Sequence, residues 1–483
     1  MSLLRFMWTF GRFYATILKL RHEVLDLLGD PVGFLAFYKE AIMVYTFKRG
    51  IHPNEEKSYT ENVAIDYLLP PPKCEMIYPL VQHLGAPCRP LVETGQKVLV
   101  GEKIGDDEAF VCAPIHSSVS GLVIDIRPHL TAIGTIVDSI IVENDGEFLE
   151  HGSLKSAGID YRNLSPEEIK KIIREAGIVG LGGAGFPTHV KLSPPQGKKI
   201  DTVIINGSEC EPYLTTDNRV MIEEADRLVA GVQIILKVMQ NARAVIAIED
   251  NKPEAIEEVK KASENVPDIE VAVVKTKYPQ GAEKQLINAI TKREVPSGGL
   301  PIDVGCIVNN VDTVIAIHRA FSRGRPLMRK VVTLTGAAIK NPGNYKVRLG
   351  TKVSDLVEMA GGFKANPTKV VVGGPMMGVA IYDINVPIVK TTSGILFLTE
   401  TEAFIPPEQN CISCGQCVEH CPMGLVPTEL NTAIMRENSE MFVKLNGLDC
   451  VECGSCSYIC PAKRRLSQAI RTTRRAELAK RKK

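Results

Sequence analysis

Cys411-Ile412-Ser413-Cys414-Gly415-Gln416-Cys417-Val418-Glu419-His420-Cys421-Pro422 and, further on, Cys450-Val451-Glu452-Cys453-Gly454-Ser455-Cys456-Ser457-Tyr458-Ile459-Cys460-Pro461 are the stretches around which the chain is organised. Both read C-x-x-C-x-x-C-x-x-x-C-P. Two intervening residues let a tight loop turn three thiolates onto one iron–sulfur cube, and the proline stops any helix that would carry on. In paired runs of this spacing the fourth cysteine of each run ligates the other run's cube. Cys411, Cys414, Cys417 and Cys460 are therefore expected to hold one 4Fe-4S cluster, and Cys421, Cys450, Cys453 and Cys456 the second. Disulfides suit small secreted chains, and zinc sites use paired C-x-x-C units without a third repeat. A pattern that occurs twice in full favours clusters over both. Such clusters pass single electrons, so the remainder of the chain is read for the place where electrons enter.

At 483 residues the chain is longer than the ~250 to 300 at which one core stops growing, so several domains are expected. Composition is that of a soluble globular protein. The five other cysteines, Cys74, Cys88, Cys112, Cys210 and Cys306, show no ligand spacing and read as buried or free thiols in a reducing compartment. Net charge is +1, yet residues 463–483 carry ten Lys or Arg against the single acid Glu477, which leaves the rest of the chain at −8. The basic stretch reads as a tail, either solvated or facing anionic lipid or an acidic protein. No recognition motif supports nucleic acid.

Residues 1–42 hold eight of the 27 aromatic residues, including Trp8. Arg5, Arg12, Lys19, Arg21 and Glu23 interrupt every apolar run, so neither a spanning helix nor a standard signal peptide fits. The stretch is expected to be an extension outside the folded body, with an interfacial amphipathic helix as the alternative. Between Val92 and Val142 short apolar runs alternate with turn residues, as in Glu93-Thr94-Gly95-Gln96-Lys97-Val98 and Ala113-Pro114-Ile115-His116-Ser117-Ser118-Val119-Ser120-Gly121, which predicts a small β sandwich. From Leu164 helix and strand alternate. Ser165-Pro166-Glu167-Glu168 is a capping box with proline at the first helical position, and Gly177 ends that helix. In Gly180-Leu181-Gly182-Gly183-Ala184-Gly185-Phe186-Pro187-Thr188, four glycines let the backbone approach a ligand and aim N–H groups at an anion. The strand Val203-Ile204-Ile205 then ends at Asn206-Gly207-Ser208-Glu209-Cys210-Glu211-Pro212, polar groups at a strand's carboxyl end where such folds bind ligands. Further strands at Val245–Ile248 and Val271–Val274 complete an α/β signature.

The 92–142 stretch resembles the barrel-sandwich hybrid of lipoyl and biotinyl carrier domains, but its Ile115–Gly121 turn has no lysine to modify, so a docking or structural role is expected. The loop from Gly180 to Lys191, the segment Asn206–Pro212, Tyr278-Pro279-Gln280-Gly281-Ala282-Glu283 and Asn309-Asn310-Val311-Asp312-Thr313 resemble the flavin-binding, NADH-oxidising subunit of respiratory complex I. With the sandwich before them and the cysteine runs after, the order is similar to the C subunits of Rnf electron transport complexes, over roughly residues 43 to 465. The resemblance implies that Gly180, Gly182, Gly183, Gly185 and Lys191 cradle FMN phosphate. It further implies that Asn206, Ser208 and Glu209 contact the flavin and that Asn309 and Asn310 contact its ribityl side, with Gly281 also at the cofactor. Phe186 and Glu211 would contact NADH, and Glu283 would line the nicotinamide side, giving Glu211 and Glu283 as the catalytic candidates. Two departures stand out: Leu181 replaces an arginine of the complex I loop, and its paired glutamates correspond to Ala282 and Glu283.

Residues 331–400 look like the β-grasp module of the same family, on Val331–Gly336, Gly350–Leu356 and Gly373-Gly374-Pro375-Met376-Met377-Gly378. The expected fold is multidomain α/β and α+β: an extension (1–42), a β barrel-sandwich hybrid (43–150), an α/β FMN/NADH-binding domain (151–327), a β-grasp domain (328–401), a two-cluster ferredoxin-like helical domain (402–465) and a basic tail (466–483). The implied activity is that of the peripheral NADH/FMN/iron–sulfur subunit of a ferredoxin:NAD oxidoreductase that pumps ions. It would use NAD(H), FMN and two 4Fe-4S clusters, and lie on the cytoplasmic face of a bacterial inner membrane. Its partners would be an iron–sulfur subunit and integral membrane subunits of the complex, with ferredoxin reached indirectly. The alternatives are a cobalamin-reducing flavoprotein, in which the sandwich follows the flavin domain instead of preceding it, and a non-enzymatic ferredoxin-like scaffold, which predicts clusters without flavin.

Overall fold

The structure, a computed structural model, describes residues 44–154 and 158–481. The reading of residues 1–42 as an extension lies outside the described residues. Residues 46–481 belong to one compact unit.

Before any domain begins, residues 46–68 run as a strap. Ile51 N–H donates to Tyr278 O, and Lys57 Nζ donates to the carbonyls of Glu209, Glu211 and Leu214. The strap ends in β1 (Asp66–Tyr67), which pairs in parallel with a strand nearly three hundred residues later in the chain. The sandwich then forms from two small sheets. One holds β2 (Glu75–Pro79), β4 (Lys97–Val98), β7 (Gly121–Leu130) and β8 (Ile136–Asn144) in the order β2-β8-β7-β4; the other holds β3 (Arg89–Pro90), β5 (Lys103–Asp106) and β6 (Ile115–His116). Inward residues such as Met76, Tyr78, Ile104, Ile140 and Val142 form its core.

The α/β domain opens with α1 (Pro166–Glu175), where Ser165 Oγ accepts from Glu168 N–H and Glu168 Oε2 accepts from Ser165 N–H, the reciprocal cap read from the sequence. After the short α2 (Thr188–Lys191) come β9 (Thr202–Gly207), α3 (Thr216–Glu223), α4 (Ala225–Met239), β10 (Arg243–Glu249), α5 (Pro253–Ser263), β11 (Ile269–Val274), α6 (Glu283–Thr291), β12 (Cys306–Asn310) and α7 (Val311–Arg323). The four strands are all parallel in the order β11-β10-β9-β12. Val203, Ile204 and Ile205 are all fully buried, as expected of a strand covered on both faces. The chain moves outward from β9 through β10 to β11 and then returns to the other side of β9 with β12. Such a reversal of strand order opens a crevice at the carboxyl ends of β9 and β12, where α/β sheets take ligands.

The β-grasp sheet has six strands in the order β1-β14-β13-β17-β15-β16, with β13 (Arg329–Thr335), β14 (Gly343–Arg348), β15 (Lys369–Val372), β16 (Val379–Ile381), β17 (Gly394–Leu398) and the helix α8 (Val353–Met359). Buried ion pairs bind it to the α/β domain: Lys330 on β13 reaches Asp312 on α7 at 2.7 Å, and Lys346 on β14 reaches Glu224 at 2.9 Å. A buried polar chain of Thr60, Thr215, Asn344 and Thr333 joins strap, α/β domain and β-grasp at 2.7–3.0 Å per link. Each buried polar group here has a partner, which is what makes the burial tolerable.

The last domain begins with α9 (Glu400–Ala403) and holds α10 (Gln416–Glu419), α11 (Pro427–Met435), α12 (Ser439–Lys444), α13 (Ser455–Tyr458) and α14 (Leu466–Lys480). Here the reading of residues 466–483 as a tail is corrected, since 466–480 form a helix of this domain. Leu466 and Ile470, one helical turn apart, are buried, and Ile470 joins Leu430, Ala433 and Phe442 in the core. Arg471, Arg474 and Arg475 converge on Glu452 at 3.0–3.2 Å, inside the second cysteine run. The charge count overlooked a helix whose basic side has an acidic partner.

Candidate functional site

The two cysteine runs fold as near copies. Ser413 and Glu452 take φ of 55° and 58°, Gly415 and Gly454 take 76° and 80°, and a one-turn helix follows each glycine. The N–H groups of Ser413 and Glu452 point at the sulfurs of Cys411 and Cys450, both at 3.4 Å. The left-handed positions curl three cysteines of each run around one centre, and the fourth is carried across to the other. Cys421, Cys450, Cys453 and Cys456 line one cavity with Leu425, Leu430 and Ile470. The charge neighbours of Cys456 are Cys453, Cys450 and Cys421, whereas those of Cys417 are Cys460, Cys414 and Cys411. Burial first, and then neighbouring thiols, push Cys450 up to about 11 and raise Cys453, so a set of four thiolates calls for positive charge among them. Among the described residues, no three of these eight sulfurs lie within 4.8 Å of one another, a spread too wide for a single zinc ion. The donor sets thus fit 4Fe-4S cubes with the exchange that the spacing predicts. Cys411 and Cys414 are exposed, while Cys421 and Cys453 are buried.

At the carboxyl ends of β9 and β12 the structure brings together most of the residues selected for flavin. Asn206 and Asn310 are register partners on adjacent strands. The glycine loop closes back on itself, with Gly180 N–H donating to Phe186 O, and Leu181 N–H is held by Thr313 Oγ1 at the start of α7. A Cβ on Gly182 would meet the Asn310 side chain at 2.7–2.9 Å, so only glycine allows this approach. Gly183 is exposed, and a Cβ there would meet nothing within 4 Å. Lys191 Nζ donates to Val308 O at 2.7 Å and lies 3.8 Å from Glu283; burial lowers its pKa and Glu283 opposes that. Asn206 Nδ2 donates to Gly281 O at 2.8 Å, which ties the 278–283 segment to the strand end. Ser208 Oγ and Asn309 Nδ2 are buried with no protein partner, as groups awaiting a polar ligand would be. Open space over the loop, an ammonium beside it and orphaned donors at the strand ends fit a phosphorylated cofactor such as FMN.

Three of the selected residues point elsewhere. Gly185 packs against Gln82, His83 and Thr391 at the domain junction. Glu209 spends both carboxylate oxygens on the start of α3, accepting from Asp217 N–H at 2.7 Å and Asn218 N–H at 3.2 Å, so its side chain is a helix cap. Glu211 turns to the β-grasp and ferredoxin-like domains: Met376 N–H donates to it at 3.1 Å, and the Tyr278 hydroxyl lies at 3.4 Å. The same hydroxyl donates to Cys453 O at 2.7 Å. Tyr278, Ile51 and Cys453 share an apolar cluster against which Cys210 and Met376 pack. Tyr278 and Gln280, whose buried amide has no partner, lie in the quoted 278–283 segment but carry no family role there. Asp217, which accepts from Asn310 Nδ2 at 2.7 Å, carried no sequence signal at all; burial, then Glu209, pushes it up to about 7.

Burial also raises Glu211 from 4.5 to about 7 against the opposing N–H groups of Met376 and Met377. A carboxyl held above its unfolded value binds its proton more tightly when folded. Its contribution to stability is therefore intact below the unfolded pKa and lost as pH rises through about 7. Glu211→Gln should accordingly gain about 2 kcal/mol relative to the parent chain between about pH 5.5 and 8. Anaerobic denaturation at both pH values measures this, and a pH-independent difference would count against the assignment.

Comparison with known proteins gives the same order of parts. The family models that match are the RnfC barrel sandwich hybrid domain over residues 45–147, the Nuo51 FMN-binding domain over 173–319, the SLBB domain over 331–380 and the 4Fe-4S dicluster domain over 403–464. The chain is 49% identical over 432 residues to the C subunit of the proton-translocating ferredoxin:NAD(+) oxidoreductase complex of Clostridium ljungdahlii, covering 89% of this chain and 93% of that protein. It is 46% identical over 440 residues to the C subunit of the Na(+)-translocating ferredoxin:NAD(+) oxidoreductase complex of Acetobacterium woodii, covering 91% and 98%. Among solved structures, an NAD+-reducing [NiFe]-hydrogenase in the air-oxidized state matches with a TM-score of 0.46 at 18% identity, over 65% of this chain and 61% of that one.

Proposed function

The chain belongs to the family of C subunits of ion-translocating ferredoxin:NAD(+) oxidoreductase complexes, and we propose that it passes electrons between NAD(H), FMN and two 4Fe-4S clusters through the sites described above. One contact carries the reading: the Tyr278 hydroxyl donates to Cys453 O at 2.7 Å, while Gly281, three residues on, accepts from Asn206 at the strand end. The flavin crevice and a cluster cysteine are thereby packed into one unit. When bound, FMN supplies the conversion between hydride and single electrons, and the clusters supply one-electron carriers.

The chain's own residues do the positioning. Gly182, Gly183 and Lys191 would hold the phosphate, and Asn206, Ser208, Asn309 and Asn310 would hold the rest of the flavin, with Gly281 beside it. Phe186 and Glu283 remain the candidates for the nicotinamide side. Glu211 anchors the Met376 turn and orients Tyr278, a positioning role. Cys421, Cys450, Cys453 and Cys456 form the inner cluster site. Cys411, Cys414, Cys417 and Cys460 form the outer one, opening to solvent where a partner protein would dock.

No helix of the described residues is long and apolar enough to cross a membrane. On the strength of its kinship with C subunits of ion-translocating complexes, we assign ion movement to integral membrane partners and place this chain peripherally on the cytoplasmic face. Anaerobically reconstituted chain should retain FMN, and NADH should bleach the flavin and produce reduced-cluster signals in low-temperature paramagnetic resonance. Clusters that stay oxidised while the flavin is reduced would sink the proposal.

A further inference from the structure

The sequence offered Cys88 and Cys112 as unremarkable buried thiols, but the fold places them together with His83. Cys88 Sγ and Cys112 Sγ are 3.6 Å apart, and His83 Nε2 is 3.8 Å from the first and 3.7 Å from the second. All three residues are buried. Among the described residues this is the only group of three ligand-type side chains whose donor atoms lie within 4.8 Å of one another. Two thiolates and an imidazole around one zinc ion, at ~2.3 Å to sulfur and ~2.0 Å to nitrogen, would be separated by about 3.8 Å between sulfurs and about 3.5 Å from sulfur to nitrogen along the tetrahedral edges. The observed sides, 3.6 Å between sulfurs and 3.7–3.8 Å from sulfur to nitrogen, lie within about 0.3 Å of those edges. A disulfide instead needs its sulfurs ~2.05 Å apart.

We propose that His83, Cys88 and Cys112 bind a divalent zinc-type metal ion that pins the sandwich behind the glycine-rich loop. His83 is already oriented for it. Its Nδ1 faces Leu84 O at 3.2 Å, which keeps the proton on Nδ1 and leaves the lone pair on Nε2, the usual outer-shell arrangement for a metal-bound histidine. Ala113 N–H approaches that lone pair at 3.1 Å and is the contact an ion replaces. The Ala113 carbonyl, 3.5 Å from Cys88 Sγ, or a water completes the fourth position. Charge also fits, because two thiolates, a neutral imidazole and a divalent ion sum to zero in a buried site.

Binding couples domains because the site's immediate neighbours belong to three of them. Leu84 N–H donates to Gly185 O, and the fully buried Lys390 of the β-grasp domain donates to Pro114 O at 2.6 Å and Gly177 O at 2.8 Å. The reading does not depend on how flavin or NADH binds.

The test uses the full chain, purified anaerobically with both clusters in place. Metal analysis should find one zinc per chain beside the iron, and X-ray absorption at the zinc edge should show two sulfurs at ~2.3 Å and nitrogen at ~2.0 Å. Cys112→Ser and His83→Gln should lose the zinc and keep the iron, while Cys74→Ser keeps both. Should the variants fail to fold, the spectrum of the parent chain decides alone. A four-sulfur spectrum would mean zinc strayed into a cysteine run and would overturn the proposal. So would the absence of any stoichiometric metal other than iron, or a Cys88–Cys112 disulfide in the anaerobic protein.

Discussion

A chain carrying both Cys421→Ser and Cys453→Ser is expected to keep one intact 4Fe-4S cluster. The structure puts Cys421 with Cys450, Cys453 and Cys456 around one cavity, so both changes damage the same cube. Serine replaces a soft thiolate with a hard, poorly ionised hydroxyl, which iron clusters accept badly. The set of Cys411, Cys414, Cys417 and Cys460 keeps all four sulfurs. Pairing within each run would make Cys421 a ligand of the other cube, and the double variant would then lose both. Iron analysis should give about four irons per chain where the parent has about eight. Paramagnetic resonance should show one remaining cluster. That cluster is the exposed one, so the variant should also respond to NADH far more slowly than to a small reductant. Retention of no cluster in a chain that still folds would reject the exchange.

Gly183→Val is expected to abolish FMN retention while both clusters assemble on their own domain. The structure makes this the cleaner of the two central glycines to change. Valine at 182 would drive into the Asn310 side chain and disturb the protein itself, whereas a Cβ at 183 meets nothing within 4 Å. The folded chain should therefore lose no more than ~0.5 kcal/mol of stability, the usual range for an exposed site. A flavin whose phosphate lies against the loop would lose its close approach to the backbone. A weakening of about 3 kcal/mol corresponds to roughly a hundredfold in affinity, enough to strip flavin during purification. Extracted flavin per chain is the measurement, with the iron content as internal control. Normal flavin in a valine variant would move the site away from this loop.

Much of this protein was legible residue by residue because the signals are local. Spacing alone marks the two cysteine runs as three-cysteine loops, and Cys421 does line one cavity with Cys450, Cys453 and Cys456; the matching left-handed residues Ser413 and Glu452 follow from the same tight turns. The Ser165–Glu168 cap and the apolar strand 203–205 are likewise written in adjacent residues. Spacing could not say which polar side chains turn toward the ligand crevice. Glu209 and Glu211 look equivalent in sequence, yet one caps α3 and the other meets Met376, because a helix start and a β-grasp turn happen to arrive beside them. The basic residues after Cys460 read as a tail until packing supplied Glu452 as their partner. His83, Cys88 and Cys112 carry no motif, since their meeting depends on how the sandwich strands fold back. Periodicity and turn chemistry act over a few residues and survive in the linear order. Contacts such as Tyr278 to Cys453, 175 residues apart, exist only once burial of apolar surface has brought whole domains together.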